Sequence, residues 1–323
     1  MTPIVVVGAG TFGRNHLRVI RGCPRATLAG VFDIDRAKAE SAAAEFGCDV
    51  LDDLNAACGK ARAAIVATPT STHADAGCAL LDAGLDVLVE KPVTADLAGA
   101  RRLALAASGG RVLQIGHLER FNPSVLALRN KVTTPLFFEI HRMSVFTPRS
   151  LDVDVVLDLM IHDIDLVLDM TGQMPDEIRA AGISILSSKV DIANVRLAFP
   201  GGCVANLTAS RVSIEKIRKM RLFQPHEYIS IDYGRQDGVA IQVSESRQIG
   251  FAPLAVKKDE PLRLQLESFL DCVERRTPPV AGIEEGTRAL EVSLDILDKI
   301  EVHAKLVATT LASGVRASDE VTG

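Results

Sequence analysis

The chain has 323 residues, of which 47% are apolar and 24% charged, an ordinary balance for a globular protein, and its length is more than one hydrophobic core usually serves. A formal net charge of −5 argues against nucleic-acid binding by general phosphate attraction. No run approaches the ~20 consecutive apolar residues of a membrane span, so neither nucleic acid nor membrane is expected as a partner.

The opening MTPIVVVGAG enters a strand at once and carries no basic flank or cleavage pattern, so no signal peptide is expected. Strands are predicted at Ile4–Val7, Leu28–Phe32, Ala63–Ala67, Val87–Glu90 and Val112–Ile115, with a weaker candidate at Asp49–Leu51. Helical stretches lie between most of them, at Arg36–Phe46, Thr72–Ala83 and Ala95–Ala107. Nearly continuous apolar strands alternating with helices predict a parallel sheet covered on both faces, a doubly wound α/β domain over residues 1–118. With 4% aromatic residues and no Trp, its core must be aliphatic.

After Gly116 the pattern changes. A short helix at Pro123–Arg129 leads into strands at Leu136–Val145, Ile178–Leu186, Val190–Phe199, Cys203–Val212 and Tyr228–Asp232, with one helix at Val155–Met170 between the first two. Strands in succession predict an α+β domain with a largely antiparallel open sheet over residues 119–323. Two helices, Leu262–Arg275 and Glu284–Lys305, close the chain before a small, polar tail, LASGVRASDEVTG, expected to fray. Six cysteines without CxxC pairing are expected as buried small hydrophobes in a reducing cytoplasm.

Two stretches carry chemistry. VVVGAGTFG places Gly8, Gly10 and Gly13 in GxGxxG spacing between a strand and a helix. Gly8 permits the turn, Gly10 lets a pyrophosphate approach the backbone, and Gly13 lets helix and strand pack. Asp33, 20 residues past Gly13, stands where a carboxylate would bind an adenosine ribose, which favours NAD over NADP. Arg36 nearby weakens that preference, since a guanidinium accommodates a 2′-phosphate. In an open parallel sheet all strand C-termini share one edge, so Thr68 and Pro69, Glu90 and Lys91, and His117 should converge there. Gly8, Gly10, Thr11, Phe12, Gly13, Asp33, Thr68, Pro69, His73, Glu90 and Lys91 are the expected cofactor residues.

The second stretch is DLMIHDIDL. On a helix Asp158, His162, Asp165 and Asp169 fall on one narrow stripe, which suits a solvated face as well as a catalytic one. Asp163 lies off the stripe, and the His-Asp pair with it resembles a metal-dependent phosphohydrolase, although no further metal-ligand spacing stands out and no metal is expected. Oxidation of an alcohol needs a base near neutrality. His162 fits that task with Asp158 orienting it, while a desolvated Lys91 is the alternative base.

In order along the chain, the GxGxxG loop, ATPTSTH, VEKPV, GHLERFNPSV and DLMIHDID resemble the Gfo/Idh/MocA family of NAD(P)-dependent oxidoreductases over about residues 3–305. The resemblance implies a lysine beside the nicotinamide, here Lys91, with Asp158 and His162 supplied by the second domain to the same cleft and Asp165 in the family's His-x-x-Asp position. Met160 departs from the small residue usual two places after the Asp. GHLERFNP with DLMIHDIDL is similar to the members that oxidise the C3 hydroxyl of UDP-N-acetylglucosamine with NAD and pass the ketone to an aminotransferase in lipid A synthesis. Inositols, free sugars and uronic-acid sugar nucleotides are the alternative substrates, and an NAD-binding sensor without turnover is the remote one. Arg120 and Asn122 are candidate sugar contacts. Arg211 and Arg218, in SRVSIEKIRKMR, are candidates for the diphosphate, although a charged hairpin explains that run equally well. The family also implies a homodimer or homotetramer.

Overall fold

A computed structural model describes residues 1–146, 153–244 and 246–312, and the expectation of a frayed tail beyond residue 312 falls outside them. β1 (Thr2–Val7), β2 (Ala26–Phe32), β3 (Ala63–Val66), β4 (Asp86–Glu90) and β5 (Leu113–Gly116) form a five-stranded sheet in the order β2-β1-β3-β4-β5. Every pairing in it is parallel. The connections are α1 (Thr11–Gly22), α2 (Arg36–Phe46), α3 (His73–Asp82) and α4 (Leu97–Ala107), and α5 (Pro123–Arg129) follows β5. The chain leaves β1 for β2 on one side and returns to β3 on the other. The strand order therefore reverses between β1 and β3, the position where a parallel sheet opens a crevice at its C-terminal edge. The weak candidate at 49–51 is a single parallel bridge, Val31 to Val50.

The second sheet has eight strands: β6 (Phe137–Val145), β7 (Glu177–Ile183), β8 (Ile192–Ala198), β9 (Val204–Ser213), β10 (Ile217–Gln224), β11 (Glu227–Asp232), β12 (Asp237–Val243) and β13 (Ile249–Pro253). Their order is β13-β12-β11-β10-β6-β9-β8-β7. β6 and β9 pair in parallel, while β10 pairs antiparallel with both β6 and β11, and β8 with both β7 and β9. Phe138 and Ile140, Leu207, Val195, Met220 and Leu222 alternate inward, whereas Glu139, His141, Asn194, Asn206 and Arg221 lie on the other face. Between β6 and β7 runs a π-helical turn, Val156–Met160, continuous with α6 (Ile161–Thr171), which ends at Gly172 in the left-handed conformation (φ 66°).

The remaining helices are α7 (Pro261–Arg275) and α8 (Ile283–Ala312). Contacts divide the chain into two compact units, but the division does not fall at residue 118. The first unit comprises Met1–Lys131, Arg235–Gly238 and Pro253–Glu291, and the second Val132–Gly234, Val239–Ala252 and the chain from Val292. The reason lies in α7: Leu262, Leu266, Phe269, Leu270 and Val273 form an apolar stripe at helical spacing. They share one buried cluster with Ile4 and Val6 of β1 and Leu17 and Ile20 of α1. The nucleotide-type sheet therefore recruits a helix from far along the chain. Among the described residues no helix is long and apolar enough to cross a membrane.

Candidate active site

At the C-terminal edge of β1, β2 and β3 the first unit holds a cleft of about 660 Å³, lined by the glycine loop, Phe12, Asp33, Thr68 and Pro69 among others. The three glycines are required for different reasons. Gly8 has φ +101°, and a Cβ there would lie 2.5 Å from the Ala67 carbonyl oxygen. A Cβ on Gly13 would lie 1.8 Å from the Gly8 carbonyl oxygen, so α1 could not approach β1 with any larger residue. Gly10 has an ordinary backbone (φ −70°) and open space for 4 Å around the position of its Cβ. No side chain caps α1 at Gly10, so the first N–H groups of the helix face that space. An uncapped helix start beside a backbone free of side chains fits the pyrophosphate of a dinucleotide.

Asp33 is held by the loop it serves. Its Oδ2 accepts the Ala9 N–H at 2.7 Å and its Oδ1 accepts the Asp35 N–H at 2.9 Å, which aims the carboxylate while leaving each oxygen a lone pair for a ribose. Arg36 is directed away, to Glu40 and Asp52, and does not line the cleft. The alternative use of Arg36 for a 2′-phosphate therefore finds no support in its placement, and the residues present fit NAD.

Glu90 ends β4, and Lys91 follows it and leads into Pro92 through a cis peptide. Glu90 is buried, with its Oε1 2.7 Å from His16 Nε2 on α1, while its Oε2 accepts the Lys91 N–H at 3.3 Å. His73, predicted to line the cofactor site, is buried too: its Nδ1 lies 2.8 Å from the Pro92 carbonyl oxygen and its Nε2 2.9 Å from that of Thr68. Sequence reasoning missed His16. Its position on the inward stripe of α1, six residues after Gly10, was the available signal.

In the same unit Arg120 and Asn122, proposed as sugar contacts, are both buried. Arg120 donates to the Val280 carbonyl at 2.9 Å. Asn122 caps α5, its Oδ1 accepting from Ser124 N at 3.1 Å, and its amide donates to Glu119 at 3.1 Å.

Asp158 and His162 belong to the second unit. Asp158 lies in the π-helical turn, an irregularity frequent at functional positions, and His162 is the second residue of α6. The π turn changes the angular step, so the straight stripe expected of a regular helix is broken at its start. Nor is the acidic stripe a hydrated face: Asp158, His162 and Asp169 are half-buried, and Asp165 is only 1% exposed. Asp163, off the stripe and 2% exposed, makes a bidentate pair with Arg142 of β6, Nε to Oδ2 and Nη2 to Oδ1 both at 2.7 Å. The Arg142 guanidinium also stands 5.2 Å from the Tyr233 ring centre. Among the described residues no three His, Cys, Asp or Glu side chains are placed to share a metal ion.

The two arginines assigned to the diphosphate part company. Arg211 is buried, bonded to the carbonyls of Val153 and Val190 and 3.6 Å from Asp191. Arg218 pairs in register with Arg142, on the sheet face that carries α6, whereas Lys219 and Arg221 lie on the opposite face. Asp191 itself gathers the N–H groups of Ile185, Leu186 and Ser187. Burial alone would raise its carboxyl, but these donors and the Ser187 hydroxyl outweigh it and hold the group down at about 2.

A family model described as an oxidoreductase family with an NAD-binding Rossmann fold matches residues 2–117, and the GFO/IDH/MocA C-terminal domain matches residues 128–223. The chain is 35% identical over 306 residues to a UDP-N-acetylglucosamine 3-dehydrogenase of Acidithiobacillus ferrooxidans, covering 92% of this chain and 96% of that one. A solved structure of that enzyme superposes with a TM-score of 0.88 at 34% identity, over 94% of this chain and 98% of the other. An inositol 2-dehydrogenase of Rhizobium meliloti is 28% identical over 311 residues, covering 89% of this chain and 93% of the relative.

Proposed function

The chain belongs to the Gfo/Idh/MocA family of NAD-binding oxidoreductases, and from that premise we propose that it oxidises the C3 hydroxyl of UDP-N-acetylglucosamine to the 3-keto sugar nucleotide. It is an NAD-dependent dehydrogenase acting on a CH–OH group of a sugar or sugar nucleotide. The observation that carries the narrower reading is the likeness to a UDP-N-acetylglucosamine 3-dehydrogenase along nearly the whole of both chains.

Bound NAD supplies the acceptor for the hydride leaving the sugar carbon. His162 takes the hydroxyl proton, since imidazole is the side chain whose ordinary pKa lies nearest neutrality. Asp158, one turn earlier, orients the ring and stabilises its cation. The Lys91 ammonium balances the negative charge that grows on the oxygen. Arg218, on the α6-bearing face of the second sheet, is the residue assigned to the diphosphate. The 3-ketone would pass to an aminotransferase for the 3-amino sugar of lipid A, in the cytoplasm. The open face of the second sheet, with Phe137, Phe223 and Tyr228 in ring contact, is the surface assigned to a homodimer or homotetramer.

Absorbance at 340 nm should grow when NAD and UDP-N-acetylglucosamine are supplied with an aminotransferase that removes the ketone. Lys91→Met and His162→Asn should each lower kcat by about 10²–10⁴-fold while NAD affinity stays within a few-fold. Wild-type turnover in both variants would remove the assigned roles. The second reading is an inositol or free-sugar dehydrogenase, favoured by the inositol 2-dehydrogenase that aligns over 89% of the chain. Competitive inhibition by UDP separates the two, because only a sugar-nucleotide enzyme has a place for it.

A further inference from the structure

Lys91 is assigned a catalytic role, yet it projects from a short loop just past the end of β4, and a useful ammonium must be held to a fraction of an ångström. The structure shows what holds that loop. Glu90, 5% exposed, is enclosed on three sides. Its Oε1 meets His16 Nε2 at 2.7 Å and its Oε2 takes the Lys91 N–H at 3.3 Å. On the third side lies Gly116 at the end of β5, where a Cβ would come within 2.7 Å of Oε2.

A carboxylate only accepts, so His16 Nε2 carries a hydrogen and donates it. His16 is itself 2% exposed, and its ring meets the Phe12 ring edge-on at 5.8 Å. Phe12 lines the cofactor cleft and stands in the first turn of α1, the turn that faces the pyrophosphate cradle. A chain of contacts therefore runs from that turn through His16 and Glu90 to the Lys91 backbone. On the other side of Lys91, the His73 ring lies between two carbonyls, its Nδ1 2.8 Å from that of Pro92 and its Nε2 2.9 Å from that of Thr68 in the cleft wall.

We infer that His16 is a positioning residue for Lys91: through the Glu90 carboxylate it fixes the backbone from which the ammonium projects and ties that backbone to the cofactor-binding helix. The inference rests on the reading of Lys91 as a catalytic group. Removing the donor leaves a buried carboxylate short of a partner, and the Glu90–Lys91 segment then has a reason to move.

Three substitutions test it. His16→Leu keeps the volume and removes the donor, His16→Asn keeps an amide donor too short to reach Glu90, and His16→Gln keeps one at nearly the reach of Nε2. His16→Leu and His16→Asn should lower kcat about tenfold or more, with the NAD Kd within about threefold of wild type. Both should also speed amide hydrogen exchange across residues 88–93. His16→Gln should restore most of the rate and the protection. The inference is overturned if a folded His16→Asn protein keeps wild-type kcat and exchange, or if His16→Gln is as impaired as His16→Leu. The exchange measurement needs no sugar, so a wild-type protein that binds NAD but leaves UDP-N-acetylglucosamine untouched sinks the substrate reading alone. The exchange pattern then still decides for or against His16.

Discussion

Gly10 and Gly13 look alike in the GxGxxG pattern and should behave oppositely when changed to alanine. At Gly13 any Cβ would lie 1.8 Å from the Gly8 carbonyl oxygen, far inside van der Waals contact. Gly13→Ala should therefore lower stability by at least about 1–3 kcal/mol, read as a shifted urea midpoint. Gly10→Ala meets nothing in the protein, so its midpoint should stay put while NAD affinity falls about tenfold, measured by titration calorimetry. The glycines and Asp33 were legible because their chemistry is local: a turn, a helix start, and a strand end 20 residues on. Asp163 was not, since its partner Arg142 comes from another element and a helical wheel shows only that Asp163 leaves the stripe. Arg211 was misleading for the same reason, as nothing in a basic run tells which cation turns inward to a carbonyl.

At the scale of elements, two buried polar arrangements set the second sheet against its helix and its loop. Asp163→Ala would leave the Arg142 guanidinium buried without its carboxylate and should cost about 3–5 kcal/mol in urea unfolding. Exchanging the pair together for Met and Leu should recover most of it. Asp191 gives the 184–187 loop a pH dependence. Its folded carboxyl titrates at about 2, below the ordinary value near 3.9, so its stabilising share is complete above about pH 4 and disappears as pH falls through 2. Wild type should lose about 2 kcal/mol more than Asp191→Asn between pH 5 and pH 2, by urea unfolding at each pH. The sequence reading missed β10, β12 and β13. In β10 the inward Met220 and Leu222 alternate with Lys219 and Arg221, and the charges hide the two-residue period. All five residues of β13 are exposed, so that strand has no apolar face to detect.

For the whole molecule, the fold classes of both halves were readable, and the membership of α7 in the first unit was not. The stripe on α7 announces a helix that covers something, but periodicity cannot say which sheet. A fragment of residues 1–131 should fail to fold, because Ile4, Val6, Leu17 and Ile20 lose Leu266, Phe269 and Leu270. Circular dichroism and one-dimensional proton spectra should show an unfolded chain for the fragment and a folded one for the intact protein. That recruitment of a distant helix bears on ancestry and engineering alike. The cofactor half cannot be traded between relatives as a leading cassette cut after residue 118. A graft that respects its physical borders must exchange the segments 1–131, 235–238 and 253–291 together, and recombination points inside α7 should yield insoluble hybrids however similar the parents are.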